Sequence, residues 1–107
     1  MTDLVIGADG TLQRGDTMYR VITYTVTGVD FYGASVAAYG ASTTDILNNI
    51  IIGVTAVDGE EIQIYCELAQ AQTENLQTGR TDWFSVEITL ADGSKDVLPR
   101  IWLQVTP

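Results

Sequence analysis

Residues 61–68 alternate between polar and apolar side chains, and this alternation constrains the fold of the 107-residue chain more than any other feature. The apolar members of the run share one face of an extended chain; they are Ile62, Ile64, Cys66 and Leu68. Asp58-Gly59 precedes the run, and an Asp-Gly pair favours the two positive-φ positions of a tight hairpin turn. The pattern therefore predicts a half-buried β-strand that follows a hairpin, with Cys66 in the core as a small hydrophobic residue.

The same signals recur along the chain and predict an all-β fold. Two more Asp-Gly pairs, at positions 9–10 and 92–93, lie between further runs, and the chain is rich in Val, Ile, Thr and aromatic residues, which suit a pleated surface. About seven runs have strand character; they cover residues 4–6, 17–27, 33–39, 49–57, 61–68, 82–90 and 96–105. This arrangement is typical of a β-sandwich or a small barrel.

Helical character is limited to one stretch near residues 70–78, where Leu76 would anchor one or two turns and Gly79 would cap them. Residues 46–52 are compatible either with a helical turn followed by a strand or with a strand from about residue 49. We prefer the strand over 49–57, because the turn at 58–59 then joins it to the next run.

The N-terminal segment has two interpretations. Leu4, Val5 and Ile6 form a short first strand, or they belong to an N-terminal arm over residues 1–11. Either way, the length of 107 residues predicts a single domain over residues 1–107.

Composition excludes several function classes. The chain has 14 acidic residues, 5 basic residues and no histidine, for a net charge of −9. This charge argues against a nucleic-acid partner or an anionic membrane, and the lack of histidine removes the commonest general base and the commonest metal ligand. A single cysteine allows neither an internal disulfide nor a structural zinc site. We expect no enzymatic activity and no cofactor, and the longest apolar stretch, residues 50–52, is too short for a membrane span.

Acidic loops leave one metal alternative open. Asp58, Glu60 and Glu61 lie in one tight loop, and Asp92 and Asp96 lie in another. Carboxylates at such loops can bind calcium, although neither stretch has the twelve-residue calcium-loop pattern. A weak calcium site therefore remains an alternative, whereas the spacing of the carboxylates singles out no hydrolase pair.

Protein contacts are the best-supported use of the surface. Trp102 lies on the outward face of the last run, and we expect Trp83 and Tyr65 near it, because exposed aromatic residues are enriched at interfaces. The alternative, that Trp102 packs beneath a second layer or the N-terminal arm, stays open. Residues 4–6 (Leu4, Val5 and Ile6) are further candidates, since a free strand edge can accept a neighbour's strand.

Several short motifs resemble one family of viral modules. They are Arg14-Gly15-Asp16, VDFYGASV at 29–36, AQTENLQTG at 71–79, WFSVEIT at 83–89, Asp92-Gly93 and IWLQV at 101–105. In this order they resemble the immunoglobulin-like module found at the N-terminus of phage upper-baseplate proteins and in small stand-alone virion proteins of tailed phages. The resemblance covers about residues 12–105, and the chain departs from the family pattern at Pro99-Arg100, where family members usually have a glycine.

The resemblance implies an immunoglobulin-like antiparallel β-sandwich and a structural role without catalytic residues. We expect a virion structural protein of a tailed bacteriophage, made in the host bacterial cytoplasm, which docks on the capsid as a decoration or cement protein. Its partners would be other virion proteins, and it would be present in multiple copies or as a homo-oligomer. One alternative is a tail or baseplate adaptor that attaches a fibre or receptor-binding protein. A second is a carbohydrate- or receptor-binding sandwich that stacks sugars on Trp102, Trp83 and Tyr65.

Overall fold

Strands account for most of the secondary structure in a computed structural model, which describes residues 11–107 in full and residues 2–6 as a strand. In that part of the chain the strands are β1 (Thr2–Ile6), β2 (Thr11–Gln13), β3 (Met18–Val26), β4 (Ser35–Ala41), β5 (Ile51–Asp58), β6 (Glu61–Leu68), β7 (Trp83–Thr89), β8 (Lys95–Val97), β9 (Ile101–Trp102) and β10 (Gln104–Thr106). Two short helices, α1 (Thr44–Asn49) and α2 (Gln70–Thr73), lie between strands. The fold is an all-β sandwich, as the alternating runs and turn residues predict.

Two antiparallel sheets form the layers of the sandwich. The first sheet has the order β1-β3-β6-β5, and the second has the order β4-β7-β8, with β9 also paired to β7. A third, separate pairing joins β2 to β10 in parallel, which the prediction of a purely antiparallel sandwich missed. This pairing brings together two segments that are far apart in the chain, residues 11–13 and residues 104–106.

Inward-facing side chains of both sheets build the core. The run at 61–68 alternates between buried and half-buried residues as predicted, and Cys66 is fully buried. From the second sheet, Phe84, Val86 and Ile88 face the same core. Burying each such aliphatic or aromatic side chain contributes about 1.5–3 kcal/mol, so these two faces hold the layers together.

The hairpin predictions hold where the structure describes the turn. Asp58-Gly59 joins β5 to β6, and Gly59 has a φ of +59°. Asp92-Gly93 joins β7 to β8, and Gly93 has a φ of +90°. The turn predicted at positions 9–10 lies outside the described residues. Of the two interpretations of residues 2–6, the structure has the strand, β1.

A second helix corrects the prediction of a single helical stretch. Thr43 caps α1 by accepting a hydrogen bond of 3.2 Å from the backbone N–H of Ile46, which is buried. The helix is followed directly by β5, so the segment contains both the helical turn and the strand. The local signal was a Thr before an acidic first turn, which is typical of a helix start.

The last predicted strand is divided into three short ones. The alternation that turns Trp102 outward predicts that Val97 faces the core, but Val97 is exposed, and Leu98 is buried in its place. Pro99 has no backbone N–H to donate, and the chain shifts its register between β8 and β9 at Pro99 and Arg100. Ile101, Leu103 and Val105 do face the core, as the alternation predicts.

Candidate protein-docking face

Two tryptophans lie side by side on the outer surface of the second sheet. Trp83 begins β7 and is the register partner of Trp102 in β9. Their neighbours in sequence, Phe84 and Ile101, are buried, so the alternation of the strands turns both indoles outward. The ring centroids are 6.4 Å apart and the ring planes meet at 54°, within the geometry that aromatic pairs favour.

Each indole has an arginine over its ring. The Cζ atom of Arg100 lies 3.9 Å from the ring centroid of Trp83, and that of Arg80 lies 5.5 Å from the ring centroid of Trp102. Both distances are within the ~6 Å at which a guanidinium is attracted to an aromatic face. We call Arg80, Trp83, Arg100 and Trp102 the tryptophan–arginine face.

Both guanidiniums of the face are free to bind an external group. Arg80 and Arg100 are exposed, whereas the two tryptophans are half-buried. Within residues 11–107 the ion pair that forms is that of Lys95 with Glu87, at 3.4 Å, so neither face arginine has a carboxylate partner there. Beside them lies a shallow depression of about 260 Å³, lined by Arg80 and Trp102.

Gly40 in β4 lies beside the indole of Trp83 and the hydroxyl of Ser85. A Cβ atom at Gly40 would lie 3.7 Å from Cζ3 of Trp83 and 3.3 Å from Oγ of Ser85. The register of β4 against β7 shifts between Ala38 and Gly40, which brings Gly40 opposite Ser85. A Cβ atom at this position would make ordinary contact with the indole, whereas the hydroxyl of Ser85 would have to shift by a few tenths of an ångström.

A buried carboxylate fixes the segment that carries the face. Asp82 accepts a hydrogen bond of 2.8 Å from Oγ of Ser42 and one of 2.9 Å from the backbone N–H of Gln77. Oγ of Ser42 in turn accepts a hydrogen bond of 3.2 Å from the backbone N–H of Trp83. The backbone carbonyl of Asp82 accepts a hydrogen bond from the backbone N–H of Leu103. These bonds tie the start of β7 to two loops and to the C-terminal segment. The sequence interpretation missed Asp82, because an acid beside a strand is usually a surface charge.

Tyr65 does not belong to this face. It lies in β6, on the outer surface of the first sheet, where its ring stacks on that of Tyr19 with centroids 6.2 Å apart and planes at 11°. Gly53 lies beneath the ring, and a Cβ atom there would be 2.5 Å from Cε1 of Tyr65. The expected grouping of three aromatics is therefore correct for Trp83 and Trp102 and wrong for Tyr65.

The other predicted contact residues lie in β1, the strand at one end of the first sheet. Leu4 is paired with Tyr24 in β3, and Val5 and Ile6 follow in the same register. The order β1-β3-β6-β5 gives this strand one partner. The role of Leu4, Val5 and Ile6 in protein contacts stays a prediction.

The acidic loops do not bring their carboxylates together. Among the described residues no three His, Cys, Asp or Glu side chains form a group that could hold a metal ion, so the calcium alternative is not supported. Two of these carboxylates accept hydrogen bonds from the protein instead. Glu60 accepts one from the backbone N–H of Gly28, and Asp96 accepts one of 2.9 Å from the hydroxyl of Tyr24.

Asp92, another of these loop acids, forms hydrogen bonds within its own turn. It accepts both the hydroxyl and the backbone N–H of Ser94. The hydroxyl of Ser94 is the main cause that holds the pKa of Asp92 below its ordinary value, with the backbone N–H second. These bonds stabilise the charged carboxylate and order the turn between β7 and β8.

The buried thiol is unsuited to chemistry. Burial raises the pKa of Cys66 to about 12, so the thiol stays protonated at neutral pH and is a weak nucleophile. Within the described residues, no helix has both the length and the apolar character that a membrane crossing requires.

Comparison with protein-family models, with curated proteins and with solved structures finds no significant match to this chain.

Proposed function

We propose that the protein is a non-enzymatic structural component of a tailed-phage virion that docks on the capsid through the tryptophan–arginine face. The observation that carries the docking proposal is the pair of adjacent outward tryptophans, each with an exposed arginine over its ring. The resemblance of residues 12–105 to immunoglobulin-like virion modules supports the choice of a virion partner. A tail or baseplate adaptor remains the alternative location.

The composition of the face suits a protein interface. Trp and Arg are the residues most enriched among those whose truncation costs binding energy, and they act best when clustered and desolvated. An arginine that already lies against an indole has lost part of its rotamer freedom before binding. Ordering it in a complex therefore costs less than ordering a free side chain, which favours affinity.

The arrangement favours protein docking over sugar stacking. A sugar ring needs an open aromatic face, and the face of Trp83 that Arg100 covers at 3.9 Å is occupied. Tyr65, the third residue of the predicted sugar platform, lies on the other sheet and stacks on Tyr19. Trp102, with Arg80 5.5 Å from its ring centroid, would be left as the platform, which is weak support for a carbohydrate-binding function.

Binding to particles tests the proposal. Virions assembled without this protein are incubated with the purified wild type, with Trp102→Ala and with Tyr39→Ala, an exposed aromatic on the neighbouring strand β4. We expect saturable binding of the wild type to capsids, a loss of about tenfold or more for Trp102→Ala, and little change for Tyr39→Ala. Binding to isolated tails instead of capsids would support the adaptor alternative. Absence of binding to both would refute the virion role, and glycan binding that depends on Trp102 would replace it with the carbohydrate function.

A further inference from the structure

The basic side chains of this acidic chain differ in the partners that they contact in the described part of the structure. Of the five basic residues, Lys95 is paired with Glu87, and Arg20 donates to the backbone carbonyls of Tyr19 and Thr11. Arg80 and Arg100, in contrast, lie over indole rings. The tryptophan–arginine face therefore has two exposed positive charges on a chain whose net charge is −9.

The contact with an indole leaves the donor groups of an arginine available. A guanidinium is planar, and its five N–H donors lie in that plane, so a ring against its face does not use them. Cζ of Arg100 lies 3.9 Å from the ring centroid of Trp83, and the residue is exposed, so its N–H groups can reach an external acceptor. Such an edge matches the two oxygens of a carboxylate, which it binds with paired hydrogen bonds.

We infer that the tryptophan–arginine face binds a protein surface that presents carboxylates around an apolar side chain. This inference rests on the proposed function, because it names the chemistry of the partner that the docking face takes. The two guanidiniums bind the carboxylates, and the depression of about 260 Å³ beside Arg80 and Trp102 receives the apolar side chain. Charge complementarity gives the specificity, because the 14 acidic residues of the chain repel an acidic partner from most other approaches.

A long polyanion fits less well than an acidic protein surface. Fixed charges act over about 8 Å at physiological salt, so a nucleic acid that extended beyond the two arginines would meet the acidic surface around them. A protein surface can instead present a few carboxylates at the centre of the contact. The number of available cations is small, which also predicts a modest dependence of binding on salt.

The particle assay measures the contribution of the arginines. Arg100→Gln removes one charge from the face, Arg100→Lys keeps the charge without the planar fork, and Arg14→Gln removes an exposed charge elsewhere. We expect about tenfold weaker binding for Arg100→Gln, a smaller loss for Arg100→Lys, and less than about twofold for Arg14→Gln. If Arg100→Gln binds as the wild type does while Trp102→Ala does not, the inference is wrong and the docking function stands.

A second assay does not depend on the virion. Trp83 and Trp102 are the chain's two tryptophans, so intrinsic tryptophan fluorescence reports on this face. The protein is titrated at low salt with a short peptide that has glutamates on both sides of a leucine, and with a short single-stranded DNA of equal charge. We expect a saturable change with the acidic peptide that is reversed by salt and reduced in Arg100→Gln.

Each contrary outcome of this assay has a definite meaning. No fluorescence change with the acidic peptide would overturn the inference, whatever the particle assay gives. An equal or larger response to DNA would assign the face to phosphate recognition and would also overturn it. A fluorescence change on raising the protein concentration alone, with dimers in sedimentation, would identify a second copy of this chain as the occupant.

Discussion

Replacement of the buried Asp82 by asparagine should destabilise the protein and loosen the docking face together. The carboxylate accepts one hydrogen bond at each oxygen, from Ser42 and from Gln77. An amide has one oxygen, which must face Gln77, because a backbone N–H can only donate. The amide nitrogen then faces Oγ of Ser42, which already accepts the N–H of Trp83, and the serine hydroxyl loses its acceptor.

The expected cost follows from these two bonds. A hydrogen bond to a charged group contributes about 1.5–3 kcal/mol and a neutral one about 0.5–1.5 kcal/mol, so the bond from Gln77 weakens by about 1 kcal/mol. The reversed bond at Ser42 costs about another 1 kcal/mol. We expect Asp82→Asn to lower the free energy of unfolding by about 2 kcal/mol and the melting temperature by roughly 10 °C.

Urea unfolding followed by circular dichroism measures this change. The matched control is Asp16→Asn, the same substitution at an exposed carboxylate, which should shift stability by less than about 0.5 kcal/mol. Ser42→Ala should lower the free energy of unfolding less in the Asp82→Asn background than in the wild type. The difference between the two losses, the coupling energy of the pair, should be about 1 kcal/mol. The reasoning is refuted if Asp82→Asn unfolds within about 0.5 kcal/mol of the wild type, or if the two substitutions are additive.

Three further predictions test other parts of the structure. The native thiol of Cys66, with its pKa raised to about 12, should resist alkylating reagents at pH 8 and react only as the protein unfolds; rapid labelling of the native state would contradict its burial. Gly53→Ala should lower the free energy of unfolding by about 1 kcal/mol, because the new Cβ displaces the ring of Tyr65, and the penalty should shrink when Tyr65→Ala is added. The pKa of Asp92 is depressed in the folded state, so its stabilising bonds are present above the ordinary value of 3.8 and are lost as the pH falls through the lower folded value. An NMR titration should give a midpoint below 3.8, and Ser94→Ala should raise it.

Local patterns were sufficient to predict most of the strands and the two Asp-Gly turns that the structure describes. The alternation at 61–68 reproduces the burial of β6 residue by residue, because successive side chains on a strand point to opposite faces. Asp58-Gly59 and Asp92-Gly93 form the predicted turns, because the glycines adopt positive φ angles without steric cost. These features depend on neighbouring residues, so they can be read without the rest of the fold.

The errors arose where the outcome depends on distant residues. Val97 and Leu98 are adjacent apolar residues, and alternation cannot choose between them once Pro99 interrupts the ladder. The parallel pairing of β2 with β10 joins residues 11–13 to residues 104–106, and no local signal marks it. Asp82 looked like a surface acid because its partners, Ser42 and the N–H of Gln77, come from other segments.

By itself the sequence determined that this chain forms strands, which face of β6 is buried, and that Trp102 points away from the core. The tertiary structure alone decided that Trp102 pairs with Trp83, that arginines from two loops cover the two rings, and that Tyr65 lies on the other sheet. The physical reason is the separation along the chain of the residues that interact. Side-chain alternation and turn chemistry are set by adjacent residues, whereas a surface site is assembled by strand pairing between segments far apart in the chain.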